Sequence, residues 1–148
     1  MRKLMQASLI ALILAAPTAM AQNTSAAGTW KTIDDETGKP KSLVRITEDN
    51  GILTGKIEKL FRPADQDQNP KCTACEGARK DQPIIGMTIL SGLKKDGNEY
   101  TGGEILDPSK GKTYKSKAAM KDNGSKLEVR GYIGAPMFGR SQTWVREQ

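Results

Sequence analysis

Apolar and polar residues alternate with a period of two along most of the chain. Val44 and Ile46 are separated by polar neighbours, and so are Leu127 and Val129. Successive side chains of a β-strand point to opposite faces, so this spacing predicts strands with one buried and one solvated face. No segment carries a sustained apolar stripe at the helical period of 3.6 residues. The pattern therefore predicts an all-β protein.

Turn residues divide the alternating region into short segments. Asn50-Gly51, Asp96-Gly97 and Asn123-Gly124 each separate two alternating runs. Such pairs are favoured in tight hairpins because those turns need a positive φ at their central positions. Short connections of this kind make neighbouring strands antiparallel. The predicted strands are 28–34, 42–48, 52–61, 85–93, 99–106, 112–120, 126–133 and 140–146.

Eight sequential strands favour a closed architecture. A flat sheet would leave its apolar face and both edges open, whereas a barrel or a sandwich covers them. Consecutive hairpins favour the barrel, and Gly102-Gly103 inside a strand is suited to the bend or bulge that closure needs. We therefore predict a single eight-stranded antiparallel up-and-down barrel over 28–148.

The first residues have the composition of a secretory signal peptide. Arg2 and Lys3 precede an apolar run at 4–16, and Ala19-Met20-Ala21 supplies a small-x-small cleavage pattern. We expect a signal peptide at 1–21, cleaved after Ala21, then a short leader at 22–27. The apolar run is too short to cross about 30 Å of hydrocarbon. These features predict a periplasmic or secreted protein with no membrane span in its mature form.

Composition excludes several classes of function. The 148 residues contain no histidine, so the usual Ser-His-Asp and Cys-His catalytic arrangements and imidazole metal sites are excluded. Loss of Arg2 and Lys3 with the signal would lower the net charge from +6 to +4. The lysine-rich 110–117 lacks arginine and has little aromatic interleaving, so we expect no nucleic-acid surface. We predict no catalytic residues, no metal and no cofactor, and the pattern specifies no oligomeric state.

Cys72 and Cys75, the only cysteines, are spaced as C-x-x-C. Three interpretations fit this spacing: a structural disulfide, a redox dithiol, and a metal or partner thiol. Thioredoxin-like dithiols lie beside a βαβ unit, which is not evident here. An exported protein favours a disulfide, which would shape the long connection at 62–83.

Two groups of residues could form a ligand site. Tyr114, Ala118 and Met120 share one strand face with Ser116, and such mostly small side chains could leave a cavity inside a barrel. The glycine-rich 131–140 segment adds Tyr132, Met137 and Phe138. This segment could form a lid over a cavity, since methionine and aromatic groups suit apolar ligands. Alternatively, it packs into the core and plugs one end.

Gly28-Thr29-Trp30 resembles the G-x-W entry of lipocalin-type barrels. The resemblance implies that Trp30 closes one barrel end and that a basic residue of the last strand packs over its ring in a cation–π contact. Arg140 and Arg146 are the candidates, and Arg146 in "TWVR" is the first choice.

A longer resemblance covers most of 28–146. The chain is similar to the family of small exported bacterial proteins catalogued as domain of unknown function 2147. The shared features are Gly28-Thr29-Trp30, "CTACEGARKDQPIIGM", "ILDPSKGKTY" and "LEVRGYIGAPMFGRSQTWVR". The resemblance implies one exported lipocalin-like domain and no established activity.

These observations favour a binding protein for a small apolar or amphipathic molecule. Two alternatives stay open. One is an envelope interaction or structural protein with a solid barrel and working loops at 62–83 and 131–140. The other is a thiol–disulfide redox protein that uses Cys72 and Cys75.

Overall fold

The computed structural model describes residues 14–16 and 25–147. The predicted signal peptide, apart from 14–16, and the first part of the predicted leader lie outside the described residues. Within the described ranges, no helix has the length and apolar character needed to cross a membrane.

The protein is a closed barrel of eight antiparallel strands, as predicted. Each strand pairs with its sequence neighbours, and the barrel closes through pairing of the first strand with the last. The strands are β1 Gly28–Ile33, β2 Pro40–Asp49, β3 Ile52–Leu60, β4 Thr88–Asp96, β5 Glu99–Asp107, β6 Lys112–Lys121, β7 Lys126–Tyr132 and β8 Gly139–Arg146. Short 3-10 turns occupy Gly77–Arg79 and Asp122–Gly124.

The largest difference from the predicted boundaries is at β4. The strand was predicted at 85–93 and runs from Thr88 to Asp96. Ile84 and Ile85 belong to the preceding loop, which pairs with β3 through the backbone: the Gly86 N–H donates to the Ile57 carbonyl at 2.7 Å. The strict alternation also fails here, since Ile89 and Leu90 are both buried.

The predicted irregularity at Gly102-Gly103 is present. The register between β5 and β6 shifts between Tyr100 and Gly103. A Cβ at Gly103 would lie 2.5 Å from the Ser91 carbonyl oxygen of β4. The missing side chain therefore allows β4 and β5 to approach closely where the barrel bends.

Connections of different length separate the two ends of the barrel. The tight turns at 50–51, 97–98 and 122–125 lie at one end, which we call the closed end. The loops at 34–39, 61–87, 108–111 and 133–138 lie at the other end, which we call the mouth. Large buried side chains fill the half towards the closed end: Trp30, Leu53, Leu93, Tyr100 and Leu127.

Candidate functional site

A cavity of about 840 Å³ opens at the mouth. All four mouth loops contribute to its rim, and its floor lies among inward-facing strand residues. The inner wall is mainly apolar: it includes Ile57, Ile89, Ile105, Val129 and Trp144. Barrel and loops together therefore form a cup rather than a solid core.

Two pairs of polar side chains on the inner wall are hydrogen-bonded to each other. The hydroxyls of Thr32 and Ser42 lie 2.7 Å apart. The Trp144 indole N–H donates to Gln142 Oε1 at 3.1 Å. Because these groups already have hydrogen-bond partners, this part of the inner wall is suited to the apolar part of a ligand.

The predicted cavity residues fall into two groups. Tyr114, Tyr132 and Phe138 line the cavity. Ala118 and Met120 do not: Ala118 pairs with Tyr100, and Met120 packs against the core of the closed half. A strand rises about 3.3 Å per residue, so positions that share one face of β6 can lie at opposite ends of the barrel.

The closed end is sealed by Arg146. Its guanidinium lies 4.3 Å from the centre of the Trp30 ring. It donates to the carbonyls of Gly124 at 2.7 Å, Ala27 at 2.8 Å and Ser25 at 2.8 Å. Burial lowers the pKa of Arg146 from its ordinary value. This arrangement is the one that the lipocalin resemblance implied for Trp30 and Arg146.

The last residues of the predicted leader contact the closed end. Ala26 is fully buried and accepts a hydrogen bond from the Trp30 indole at 2.8 Å. Its N–H points to the Tyr100 hydroxyl at 3.4 Å, and burial raises the pKa of Tyr100. Residues 25–27 thus pack onto the closed end, although the polar composition of 22–27 indicated a leader.

Gly28 is required by the same contacts. Its φ is +136°, and a Cβ there would lie 2.8 Å from an Arg146 guanidinium nitrogen. Any other residue would be strained and would displace the arginine. The glycine of the G-x-W pattern therefore makes room for the Arg146 side chain.

Arg140, the other candidate for the closed end, lies at the mouth. Its guanidinium binds the carboxylates of Asp35 at 2.7 Å and Glu36 at 3.2 Å. Hydrogen bonds to Asp35 and then Glu36 raise the pKa of Arg140. The backbone N–H groups of Thr37 and Glu36 donate to Asp34 and lower its carboxyl pKa. These contacts fix the β1–β2 loop against β8.

The 131–140 segment forms a rim held in place by Arg130. The Arg130 guanidinium donates to the Pro136 carbonyl at 2.6 Å and to the Gly139 carbonyl at 3.2 Å. The segment is neither a plug nor buried, because Met137 is 76% and Phe138 is 70% exposed. Phe138 nevertheless contributes to the cavity wall, whereas Met137 does not.

The C-x-x-C segment lies in a folded loop at the mouth. Cys72 and Cys75 form a disulfide, with their Cα atoms 5.3 Å apart. The Cys72 N–H donates to the Gln82 carbonyl at 2.8 Å, and the Asp81 N–H donates to the Cys72 carbonyl at 2.9 Å. Arg62 and Ile84, near the ends of this connection, line the cavity.

The surroundings of the disulfide do not favour redox chemistry. Reactive dithiols are partly exposed and commonly lie at a helix N-terminus. Cys72 and Cys75 are 1% and 2% exposed, and the adjacent Gly77–Arg79 turn is only three residues long. The geometry is that of a buried structural bridge.

The disulfide loop docks onto the β5–β6 turn at Gly111. The Gly111 φ is +64°, and a Cβ there would lie 1.9 Å from the Ala74 carbonyl oxygen. Cys72 Sγ lies 3.4 Å from the Pro108 carbonyl oxygen on the same turn. The loop is thus positioned by a close backbone contact that only glycine permits.

We expect Gly111→Ala to undock the disulfide loop. Amide hydrogen exchange across 71–83 should become faster by about 10-fold or more, because the new Cβ cannot coexist with the Ala74 carbonyl. Each 1.4 kcal/mol of lost docking energy raises the population of the open loop about tenfold. Gly38→Ala is the matched control: its φ is +70°, and no atom lies within 4 Å of the place that a Cβ would take. Exchange across 71–83 that is no faster in Gly111→Ala than in Gly38→Ala would contradict docking through the Ala74 contact.

Comparisons with known proteins agree with this architecture. No curated protein matches the chain significantly. A solved structure of protein HP1028 from the human pathogen Helicobacter pylori, described as belonging to the lipocalin family, superposes with a TM-score of 0.70. It is 24% identical over 84% of each chain, so the likeness concerns the fold. A family model described as "Uncharacterized protein conserved in bacteria (DUF2147)" matches residues 28–146. The chain therefore belongs to the DUF2147 family and has a lipocalin-like barrel.

Proposed function

We propose that the protein is an exported binding protein that holds a small apolar or amphipathic molecule in its barrel. The cavity at the mouth is the observation that carries this proposal. Its volume of about 840 Å³ lies within the range of about 300–1,000 Å³ that is usual for small-molecule sites. The lipocalin-like fold is typically a binding fold rather than a catalytic one.

The chemistry of the cavity supports an apolar or amphipathic ligand. Ile57, Ile89, Val129 and Trp144 are apolar residues of the inner wall. Burying apolar ligand surface there is worth about 25 cal/mol per Å² before the costs of association. Charged side chains occur only on the rim among the described lining residues. A ligand would therefore place its apolar part inside and any polar part at the mouth.

Two features support export to the periplasm or the cell exterior. The sequence at 1–21 has the charged, apolar and small-residue regions of a signal peptide. The Cys72–Cys75 disulfide is of a kind that persists in oxidising compartments.

Native mass spectrometry of the protein, expressed from its complete gene and purified from the periplasm of its own cells, tests both the export and the binding function. We expect a chain that begins at Gln22 and carries a non-covalent adduct of small mass, released by organic solvent. A chain that retains 1–21 would contradict export. Adduct-free protein that also binds no apolar probe would contradict the binding function.

A second candidate function is an interaction through the 131–140 rim. Ile133, Met137 and Phe138 are 68%, 76% and 70% exposed on a segment whose backbone is bound by Arg130, and grouped exposed apolar side chains mark interaction sites. A photo-crosslinking residue at position 137 should then give one discrete adduct in cells. A smear, or no adduct, would argue against this candidate. A solid barrel, the other element of that alternative, is not supported, because the cavity is open.

A further inference from the structure

The charges on the β1–β2 side of the mouth balance one another. Segment 34–41 has three carboxylates and two lysines, and Arg140 provides a third cation. Arg140 binds Asp35 and Glu36, and Lys41 Nζ lies 3.8 Å from Asp34. A ligand head group on this side would have to displace existing ion pairs.

Two cations elsewhere on the rim have no carboxylate partner within the described part of the chain. Arg62 Nη1 donates to the Asp67 backbone carbonyl at 2.6 Å, a neutral acceptor. Lys110 Nζ has no hydrogen bond or ion pair to any described residue. Both residues line the cavity. Lys110 lies on the β5–β6 turn, which the strand order places across the barrel from the β1–β2 loop.

Asp107 is the one carboxylate among the cavity-lining residues on this part of the rim, and its donors are neutral. It accepts hydrogen bonds from the Ser109 N–H at 2.9 Å and the Ser109 hydroxyl at 2.6 Å. Together with Arg62 and Lys110 it leaves a surplus of one positive charge. Both cations line the same cavity as the apolar wall, and an anion that enters the cavity is partly shielded from water, which makes charge pairing stronger than in bulk solvent.

We propose that the ligand is an anionic amphiphile whose carboxylate or phosphate head group binds Arg62 and Lys110 at the mouth. Its apolar chain lies between Ile89, Val129 and Trp144. The inference rests on the proposed function, since it assigns the head-group chemistry of a ligand in the same cavity. Arg62 offers the planar fork that suits carboxylate and phosphate oxygens, and Lys110 adds a point charge.

Calorimetric titration with four amphiphiles of equal chain length tests the head group. Lauric acid, lauryl phosphate, lauryl alcohol and laurylamine would be added below their micelle concentrations. Both anions should bind at least about 10-fold more tightly than the alcohol, and the amine most weakly. A preference for only one anion would identify the head group as carboxylate or phosphate, and thus separate fatty acids from phosphorylated lipids.

Two charge-matched double variants complete the test. Arg62→Gln with Lys110→Gln should abolish the preference for anions, so that the two anions bind no more tightly than the alcohol. Lys95→Gln with Lys121→Gln removes the same charge near the closed end and should retain the preference. Equal binding of all four compounds, or tighter amine binding, would overturn the head-group assignment but not the binding function. Binding of none of them would overturn both.

Discussion

Replacing Arg146 with methionine should lower the free energy of unfolding by about 3 kcal/mol. The substitution removes three hydrogen bonds to backbone carbonyls and the contact with the Trp30 ring. Hydrogen bonds from a charged donor are worth about 1.5–3 kcal/mol each when partly buried, and the cation–π contact adds about 0.5–2 kcal/mol. The contributions of one side chain are not additive, and methionine retains part of the packing over Trp30, so the net loss is smaller than their sum. Urea unfolding monitored by circular dichroism would measure it.

Arg140→Met is the matched control because Arg140 lies on the same strand at the opposite end. Its side chain is 59% exposed and pairs only with surface carboxylates. Exposed ion pairs contribute about 0–1 kcal/mol, so this variant should lose less than about 1 kcal/mol. Equal losses in the two variants would contradict the assignment of Arg146 as the residue that seals the barrel.

Gly131→Leu should block the cavity and reduce the affinity for an apolar ligand by at least about 10-fold. Gly131 lines the cavity, and a Cβ there would lie 3.3 Å from the Ile105 side chain and 3.6 Å from Tyr114 Cβ. The leucine would fill space that a ligand needs, at a cost of about 1–3 kcal/mol in stability from the tight fit. Fluorescence titration with an apolar probe would measure the affinity.

Thr143→Leu provides the control for this variant. Thr143 is exposed on the outer face of β8, so the substitution adds an apolar side chain without entering the cavity. Its affinity should equal that of the unchanged protein. Undiminished binding by Gly131→Leu would place the ligand elsewhere on the molecule.

The strands could be predicted from the sequence because the signals for them are local. Alternation with a period of two and the Asn-Gly and Asp-Gly pairs depend on adjacent residues only. All eight strands are present, and the main boundary error lies at β4, where Ile85 continues the alternation of Met87 and Ile89 but belongs to a loop. Its position is set by the hydrogen bond from the Gly86 N–H to the Ile57 carbonyl of β3, a contact between residues far apart in sequence.

The position of the cavity depends on which end of the barrel is open. The lengths of the connections between strands indicate this end, and the prediction of the cavity residues did not use them. The tight turns follow β2, β4 and β6, while the longer connections follow the odd-numbered strands. In an up-and-down barrel this alternation puts every long loop at one end. It would have placed Tyr114 and Phe138 at the mouth and Met120 near the closed end.

The rim contacts could not be predicted because they join residues far apart in sequence. Arg140 pairs with Asp35, and Gly111 packs against Ala74, only after the barrel has closed. The Arg130 contacts to the 131–140 segment are shorter in range, but a lone arginine on a strand gave no indication of them. The resemblance to lipocalins, in contrast, indicated the Trp30–Arg146 contact.

The two tryptophans allow the most direct test of ligand binding inside the barrel. Trp144 lines the cavity, whereas Trp30 lies under Arg146 and does not. Bromine on a fatty-acid chain quenches indole fluorescence by contact, and the variants Trp30→Phe and Trp144→Phe each leave one emitter. Titration with bromolauric acid should quench Trp144 strongly and saturably, and Trp30 weakly. Equal quenching of both tryptophans, or no saturable quenching of Trp144, would contradict a ligand site in the cavity.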